Sequence, residues 1–528
     1  MARGRTPPGA AQNALMRGYA LHQRGDLQQA AQLYRSVLAG NPSSFEALSL
    51  LGVLEGQSGR PEAAADLLAR AVRVRPADAG VHVNYGNVLR QLKRPADALA
   101  SYDRALRIEP GNAGARYNRG LSLADLSRHT EALADYDRVT VLAPGNADAW
   151  HGRGNALRVL HRPEEALAAY DRAVALKPDD ADVWVNRGVI LQSLRRHREA
   201  LESYARAQAV APASAAAHLN EGLCRLLLGE FAAGWAKYQW RWRTPESAAV
   251  NPNYPQPQLR LDADLAGKTV LLHAEQGFGD TLQFCRYAPL VAARGAAVVL
   301  DVQPSLVALL SGMPGVTQVV ARGGALPPFA YHCAFLDLPA VFGTTLDSVP
   351  AAVPYLFADP ARARTWNARL GPRSGARVGL AWSGSGALLT GSALADDDRA
   401  VPLTQLAMLC APGRQYVSLH TEVRPGDRDA LAAHPEIREF AAELNSFADT
   451  AALIDQLDLV VTVDTAVAHL AGALGKPVWL LLPYNVTWRW LLDRTDSPWY
   501  PTARLFRQPV AGDWAPVIAA VRAELDRR

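Results

Sequence analysis

Cysteine is scarce: Cys224, Cys285, Cys333 and Cys410 are the four in a chain of 528 residues. They lie far apart with no CxxC pair, which argues against a zinc site or a disulfide framework and fits a reducing compartment. No uncharged apolar run reaches the roughly 18 residues that a membrane span requires, and the stretch from Met1 to Ala14 lacks the apolar core of a secretory signal. A soluble, cytoplasmic protein with no membrane span is the expectation. An excess of one charge is missing too. The 55 basic and 51 acidic residues leave a net charge of +4, too balanced for a dedicated nucleic-acid binder. What the chain does have is apolar residues: 49% are hydrophobic and 20% charged. That suffices for large cores and excludes wholesale disorder. The length allows about three or four domains.

The first half is periodic. Pro42, Pro76, Pro110, Pro144, Pro178 and Pro212 follow one another in steps of 34 residues. In the same frame run Gly18, Gly52, Gly86, Gly120, Gly154 and Gly188, and the alanines from Ala30 to Ala200. Tyr34, Tyr102, Tyr136, Tyr170 and Tyr204 complete the pattern, with Leu68 in the one gap. A glycine permits close approach of the first helix of a hairpin, an alanine packs the second helix, an aromatic fills the core and a proline ends the unit. A period near 34 with these residues in fixed order resembles the tetratricopeptide repeat. Six full repeats cover 11–214, after a flexible N-terminus at 1–10. A degenerate seventh, 215–242, keeps Gly222 and Tyr238 and ends in Trp240-Arg241-Trp242. The solenoid is therefore read as 11–242.

One repeat position carries Asn84, Asn118, Asn186 and Asn220, interrupted by Gly152. Each asparagine stands two residues before its repeat's glycine, on the helix that lines the concave face of such solenoids. An amide both donates and accepts, so a ladder of them would hold an extended acceptor peptide by its backbone. The alternative is hydrogen bonding between adjacent helices. Protein or peptide binding in this half follows from the solenoid itself.

A linker rich in Pro and Asn, 243–262, leads to a different pattern. Apolar β-like runs at 270–273, 297–302, 316–320 and 332–336 alternate with helical stretches, including 281–293. A second set has strands at 378–382, 416–419, 459–463 and 478–482, with helices at 403–410, 450–456 and 466–474. Two such sets imply two doubly wound, Rossmann-like α/β halves, 263–372 and 373–528, with a cleft at the carboxyl ends of their strands. Two strand ends carry candidate chemistry. Gly277-Phe278-Gly279-Asp280 reads either as a ligand-approaching turn or as a tight turn with Asp280 as helix cap; without a third glycine it disfavours dinucleotide binding. Asp464-Thr465 opens a helix whose free N–H groups suit a diphosphate, with His469 one turn in. The alternative there is a capping Asp464 and a packed core histidine.

The segments QGFGDTLQF, RVGLAW, VDTAVAHLAGALGKPVWLLLP and RWLLDRTDSPWYP together resemble the heptosyltransferase-like glycosyltransferases of the GT-B fold, glycosyltransferase family 9. More closely, they resemble bacterial proteins that place tetratricopeptide repeats before that domain. The architecture is similar to that of protein O-GlcNAc transferases. The resemblance implies an α-solenoid followed by an α/β GT-B fold of two Rossmann-like halves. It implies an inverting transfer from a nucleotide-sugar co-substrate with no metal and no other cofactor. Asp280 would be the general base. Gly277, Gly279, Arg399, Asp464, Thr465 and His469 would bind the donor, and the asparagines an acceptor expected to be a protein. Asp262 and Asp264 read as surface residues, and Trp488, Trp490, Trp499 and Tyr500 as a packed seam between the halves. One stretch departs from the family pattern: 384–398 has no Lys or Arg and ends in Asp396-Asp397-Asp398, with only Arg399 in its expected place. Three acids repel a diphosphate unless they face solvent. The alternative reading is thus a non-catalytic repeat scaffold with a degenerate transferase-like domain.

Overall fold

The structure, a computed structural model, describes residues 8–275, 277–384 and 399–528. Gln276 and all of the acidic stretch 384–398 except Gly384 lie outside the described residues. The chain divides into two compact units, one ending at Ser214 and one beginning at Ala215.

The first unit is a solenoid of helical hairpins. They run from Pro8–Gln23 with Leu27–Gly40 to Ala181–Ser193 with His197–Val210. The first helix already begins at Pro8, so only the start of the stretch read as a flexible N-terminus, 1–10, precedes it. The physics of one hairpin repeats in the next. Asp78, Asn112, Asn146 and Asp180 cap the first helices by accepting the N–H three residues on, which satisfies an otherwise orphaned donor. His82, Arg116, Trp150 and Trp184 bond the carbonyl of the period's proline, six residues upstream. Each glycine meets its aromatic: a Cβ on Gly86, Gly120, Gly154 or Gly188 would lie 2.4–2.8 Å from the ring of Tyr102, Tyr136, Tyr170 or Tyr204. Those rings are buried.

The second unit holds two parallel sheets among the described residues. The first has the order β3-β2-β1-β4, from β1 (Thr269–His273), β2 (Ala297–Val302), β3 (Val316–Ala321) and β4 (Tyr331–Ala334). The second has the order β10-β9-β8-β5-β6-β7, from β5 (Ala376–Ala381), β6 (Arg414–Ser418), β7 (Ile437–Arg438), β8 (Leu459–Val463), β9 (Val478–Leu482) and β10 (Ala503–Arg507). Each chain winds outward from a central strand, returns, and winds the other way. The reversals fall between β1 and β4 and between β5 and β8. In open α/β sheets such switch points are where the strand ends leave a crevice. Both halves are therefore doubly wound, as the alternating pattern implies.

Three details add to the sequence reading. The helix expected over 281–293 is broken into Phe278–Phe284, a 3-10 turn Cys285–Tyr287, and Ala288–Ala292 with Pro289 in its first turn. The linker is ordered at its end, where Leu259 donates its N–H to His332 O at 2.8 Å along the edge of β4. The hairpin Ala215–Leu227 with Phe231–Tyr238, read as the end of the solenoid at 242, belongs to the second compact unit. Its Phe231, Trp235 and Tyr238 share a core with Phe284, Trp488 and Trp499. No helix among the described residues is long and apolar enough to cross a membrane.

Candidate functional site

The chain leaving β1 passes Glu275 and Gly277 and enters the helix Phe278–Phe284. The chain leaving β8 passes Asp464 and Thr465 and enters the helix Ala466–Ala473. These two helices pack directly on each other. A Cβ on Gly279 would lie 2.8 Å from His469 Cδ2 and 3.8 Å from Ala466 Cα, so only glycine allows the approach. A Cβ on Gly277 would lie 2.7 Å from Asp280 Oδ2. Gly277, Gly279, Asp280, Asp464, Thr465 and His469 are thereby gathered at one corner, where the two sheets' strand ends meet.

Asp280 stands in the first helical turn, and Gly277 occupies the cap position ahead of it. The carboxylate is partly exposed and forms an ion pair with Arg489. It sits where the helix dipole favours a negative charge. Asp464 is buried. Its Oδ2 accepts a hydrogen bond from Thr487 Oγ1 at 3.1 Å, and its Oδ1 lies 3.9 Å from His469 Nε2. It does not cap the helix: Thr465 is the cap residue, and its side chain makes no capping bond. The Thr465 hydroxyl lies 3.3 Å from that of Thr462. His469 is buried, with Nδ1 3.0 Å from the Tyr500 hydroxyl and its ring stacked on Trp490 at 5.4 Å. Burial, with Arg489 and Arg286 adding to it, pushes its pKa well below the ordinary histidine range. The imidazole is neutral at pH 7 and supplies no cation to a diphosphate.

Arg489 was missed by sequence reasoning. It lies in the quoted RWLLDRTDSPWYP segment, in the 3-10 turn Trp488–Trp490, between two tryptophans that drew attention as stacking candidates. Its Nε donates to Gln283 Oε1 at 3.0 Å and its Nη2 to Asp280. Its guanidinium lies 4.5 Å over the Trp488 ring. Burial opposes its charge, but Asp280 and Asp464 more than offset this and raise its pKa. Arg399 lies at the carboxyl end of β5, the strand beside β8, where Val401 N–H bonds Trp382 O at 2.8 Å. Trp488, Trp490, Trp499 and Tyr500 are buried; Trp488 packs on Phe284 and Tyr238, Trp499 on Phe284, and Trp490 on Tyr500. Asp262 is exposed and paired with Arg260, and Asp264 accepts the N–H of Ala266 in a turn.

The asparagines behave differently from one another. Asn186 donates to His151 Nε2 at 2.9 Å and to Asn155 Oδ1 at 3.3 Å, both on the preceding repeat. Asn220, in the second unit, donates to Ala216 O on its own helix at 2.9 Å. Asn84 and Asn118 are half-buried and make no side-chain hydrogen bond within the described residues.

A solenoid of 34-residue helical hairpins followed by paired, doubly wound parallel sheets defines the class. Comparison with known proteins agrees with it. The tetratricopeptide repeat model matches overlapping stretches from 2–45 to 185–239. The glycosyltransferase family 9 (heptosyltransferase) model matches 426–482, which includes β8, Asp464, Thr465 and His469. The chain is thus similar to tetratricopeptide repeat proteins over its N-terminal helical hairpins and to glycosyltransferase family 9 over one C-terminal stretch. It is 29% identical over 333 residues to protein FlbA of Caulobacter vibrioides, covering 57% of this chain and 53% of that one. The chain spans about half the length of this curated relative. Among solved structures it is similar to MamA (24% identity, 30% of this chain, 94% of that chain, TM-score 0.29). It is also similar to Pseudomonas aeruginosa PilF (20%, 40%, 95%, TM-score 0.37).

Proposed function

We propose that this protein moves a sugar from a nucleoside-diphosphate sugar to an acceptor, a protein held by the repeats. The observation that carries the reading is the meeting of the Gly277–Asp280 turn with the Asp464–His469 segment at the switch points of two doubly wound sheets. An acceptor hydroxyl oxygen attacks the anomeric carbon, and its proton passes to Asp280. The bond from that carbon to the diphosphate oxygen breaks, and the diphosphate leaves with the electron pair, so the configuration inverts. The uncapped N-terminus at Thr465, Gly277 and Gly279 bring backbone N–H groups to the diphosphate. Asp464, His469 and Arg399 hold the donor as neutral or charged hydrogen-bonding partners. In the repeats, Asn84 and Asn118 have amides available to a peptide backbone. Asn186 and Asn220 would have to exchange their present bonds to join them.

The test is a panel of nucleotide sugars with the full chain, followed by release of the nucleoside diphosphate. Turnover is expected with one donor, to persist in EDTA, and to fall at least about 100-fold in Asp280→Asn, as loss of a general base does. Full activity in Asp280→Asn removes the base assignment. The second reading, a scaffold without catalysis, is favoured by one observation: the Asp280 carboxylate is already engaged by Arg489. Absence of turnover and of nucleotide binding would establish it.

A further inference from the structure

The pairing that speaks against catalysis also suggests how a site of this kind is kept closed until it is loaded. The corner between the halves holds two arginines, Arg286 buried and Arg489 partly buried, and their bonding differs. Arg286 is fixed by neutral acceptors on nearly every side: Nε donates to Gln283 O at 2.7 Å, Nη1 to Trp499 O at 2.6 Å and Pro350 O at 3.3 Å, and Nη2 to the Tyr355 hydroxyl at 2.8 Å. It is a strut. Arg489 makes only two bonds, to Gln283 and Asp280, and its Nη1 makes none among the described residues. A guanidinium presents five N–H donors in a planar fork that fits phosphate oxygens two at a time. Arg489 therefore has spare donors beside the helix whose cap residue supplies no side-chain bond. Gln283, fully buried, keeps its amide Nε2 without an acceptor next to it.

We infer that Arg489 is an exchangeable cation: it neutralises Asp280 while the site is empty and transfers to the diphosphate when a donor binds, which frees Asp280 to take the acceptor's proton. This inference rests on the proposed donor site at Asp464–His469. A diphosphate carries more negative charge than one carboxylate and offers several acceptor oxygens, so it outcompetes Asp280 for the same fork. The exchange couples donor loading to the appearance of a usable base. An acceptor that arrives first meets an Asp280 whose Oδ1 is held, and whose charge is neutralised, by Arg489.

The consequence is opposite in sign for the two partners. Removing the Asp280 charge releases Arg489, so Asp280→Asn should bind diphosphates more tightly than the unaltered chain, by about five- to tenfold. Arg489→Met should bind them at least about 30-fold more weakly, with Arg489→Lys in between. The measurement is titration calorimetry of the full chain with ADP, GDP, UDP and inorganic pyrophosphate in turn. Tighter binding in Asp280→Asn together with loss in Arg489→Met supports the exchange. If the unaltered chain binds a diphosphate and Asp280→Asn binds it equally or more weakly, the exchange is wrong while the donor site stands. The same holds if Arg489→Met binds undiminished. If neither the unaltered chain nor Asp280→Asn binds any of the four, the donor site itself is wrong and the exchange falls with it. Should Arg489→Met fail to fold, the Asp280→Asn comparison alone decides.

Discussion

Arg241 offers the sharpest test of how the second unit is held together. It follows the seventh hairpin, in the 3-10 turn Gln239–Arg243, and is 4% exposed. Its Nε and Nη2 reach both oxygens of Glu275 at 3.0 and 2.7 Å, and Nη2 lies 2.5 Å from Asp337 Oδ1. The rings of Tyr238 and Trp242 flank it at 4.7 and 4.5 Å, and Trp242 Nε1 donates to Asp337 Oδ2 at 3.1 Å. Glu275 follows β1 and Asp337 follows β4, so one cation ties the two strands that flank the first switch point. Arg241→Met keeps much of the volume but leaves two buried carboxylates facing each other. Breaking a buried ion pair from one side costs about 3–5 kcal/mol, a large fraction of a typical domain's stability. Burial already raises the Glu275 pKa, with Arg241 pulling against it. Without Arg241 the folded-state pKa of Glu275 rises further above its unfolded value. The deficit is then full at pH 7 and shrinks as pH falls and the carboxyl takes a proton. Denaturant unfolding followed by tryptophan emission, at pH 7 and pH 5, measures both effects. Arg241→Met should lose about 3–5 kcal/mol at pH 7 and less at pH 5, and adding Glu275→Gln should restore about half. A deficit under about 1 kcal/mol, or one unchanged by pH and by Glu275→Gln, would refute the reasoning.

Three further outcomes are expected. Gly154→Ala puts a Cβ 2.5 Å from Tyr170 Cε1, a ring held by its hydroxyl's 2.7 Å bond to Asn155; overpacking of about 1–3 kcal/mol outweighs the helical gain of alanine. Gly145→Ala, with nothing within 4 Å, should stay within about 0.5 kcal/mol, and equal melting temperatures for the two would contradict this. Gly279→Ala meets the His469 ring, itself held by Tyr500 and Trp490, and should weaken nucleoside-diphosphate binding without unfolding the repeats, as circular dichroism and calorimetry would register. Burial lowers His273 and His420 to about 4 and pushes His469 well below the ordinary histidine range, so below pH 6.5 the unfolded chain binds more protons than the folded one and stability falls with pH. His273 and His420 each remove about 2 kcal/mol by pH 5 and nothing above pH 7; a total loss under about 1 kcal/mol by pH 5 would show that these imidazoles are not held neutral.

The repeats were legible because one contact recurs. The same glycine faces the same tyrosine through successive hairpins, so a period in the sequence is a period in the packing. β2, β8 and β9 begin and end where the mainly apolar runs at 297–302, 459–463 and 478–482 do. β10 was not read as a strand: it is an outer strand of its sheet, and Arg504 and Arg507 interrupt its apolar alternation. β7, two residues long, carries no periodicity at all. The gathering of the Gly277–Asp280 turn with Asp464 and His469 was legible through topology, since both follow strands at the centre of a winding reversal. Arg489 was not, because its partners Asp280 and Gln283 lie more than 200 residues earlier.

The seventh hairpin keeps the repeat's helical pair and yet packs within the second compact unit. Gly222 keeps the period, but a Cβ there would meet the backbone N of Tyr238 at 2.9 Å and Lys237 Cβ at 3.0 Å, not a tyrosine ring. Tyr238 turns instead toward Trp235 and Trp488, at 6.2 and 6.4 Å. Trp235 stands edge-on to Trp488 at 5.1 Å and donates its Nε1–H to Thr344 O at 3.0 Å. Trp488 is the ring beneath the Arg489 guanidinium, and Arg241 at the end of the same hairpin fixes Glu275, two residues before Gly277. A segment that scores as a repeat thus supports the candidate site from two sides, through an aromatic floor under its cation and an ion pair behind its glycine turn. The residues that make the seventh repeat degenerate are the ones that make it part of the second unit.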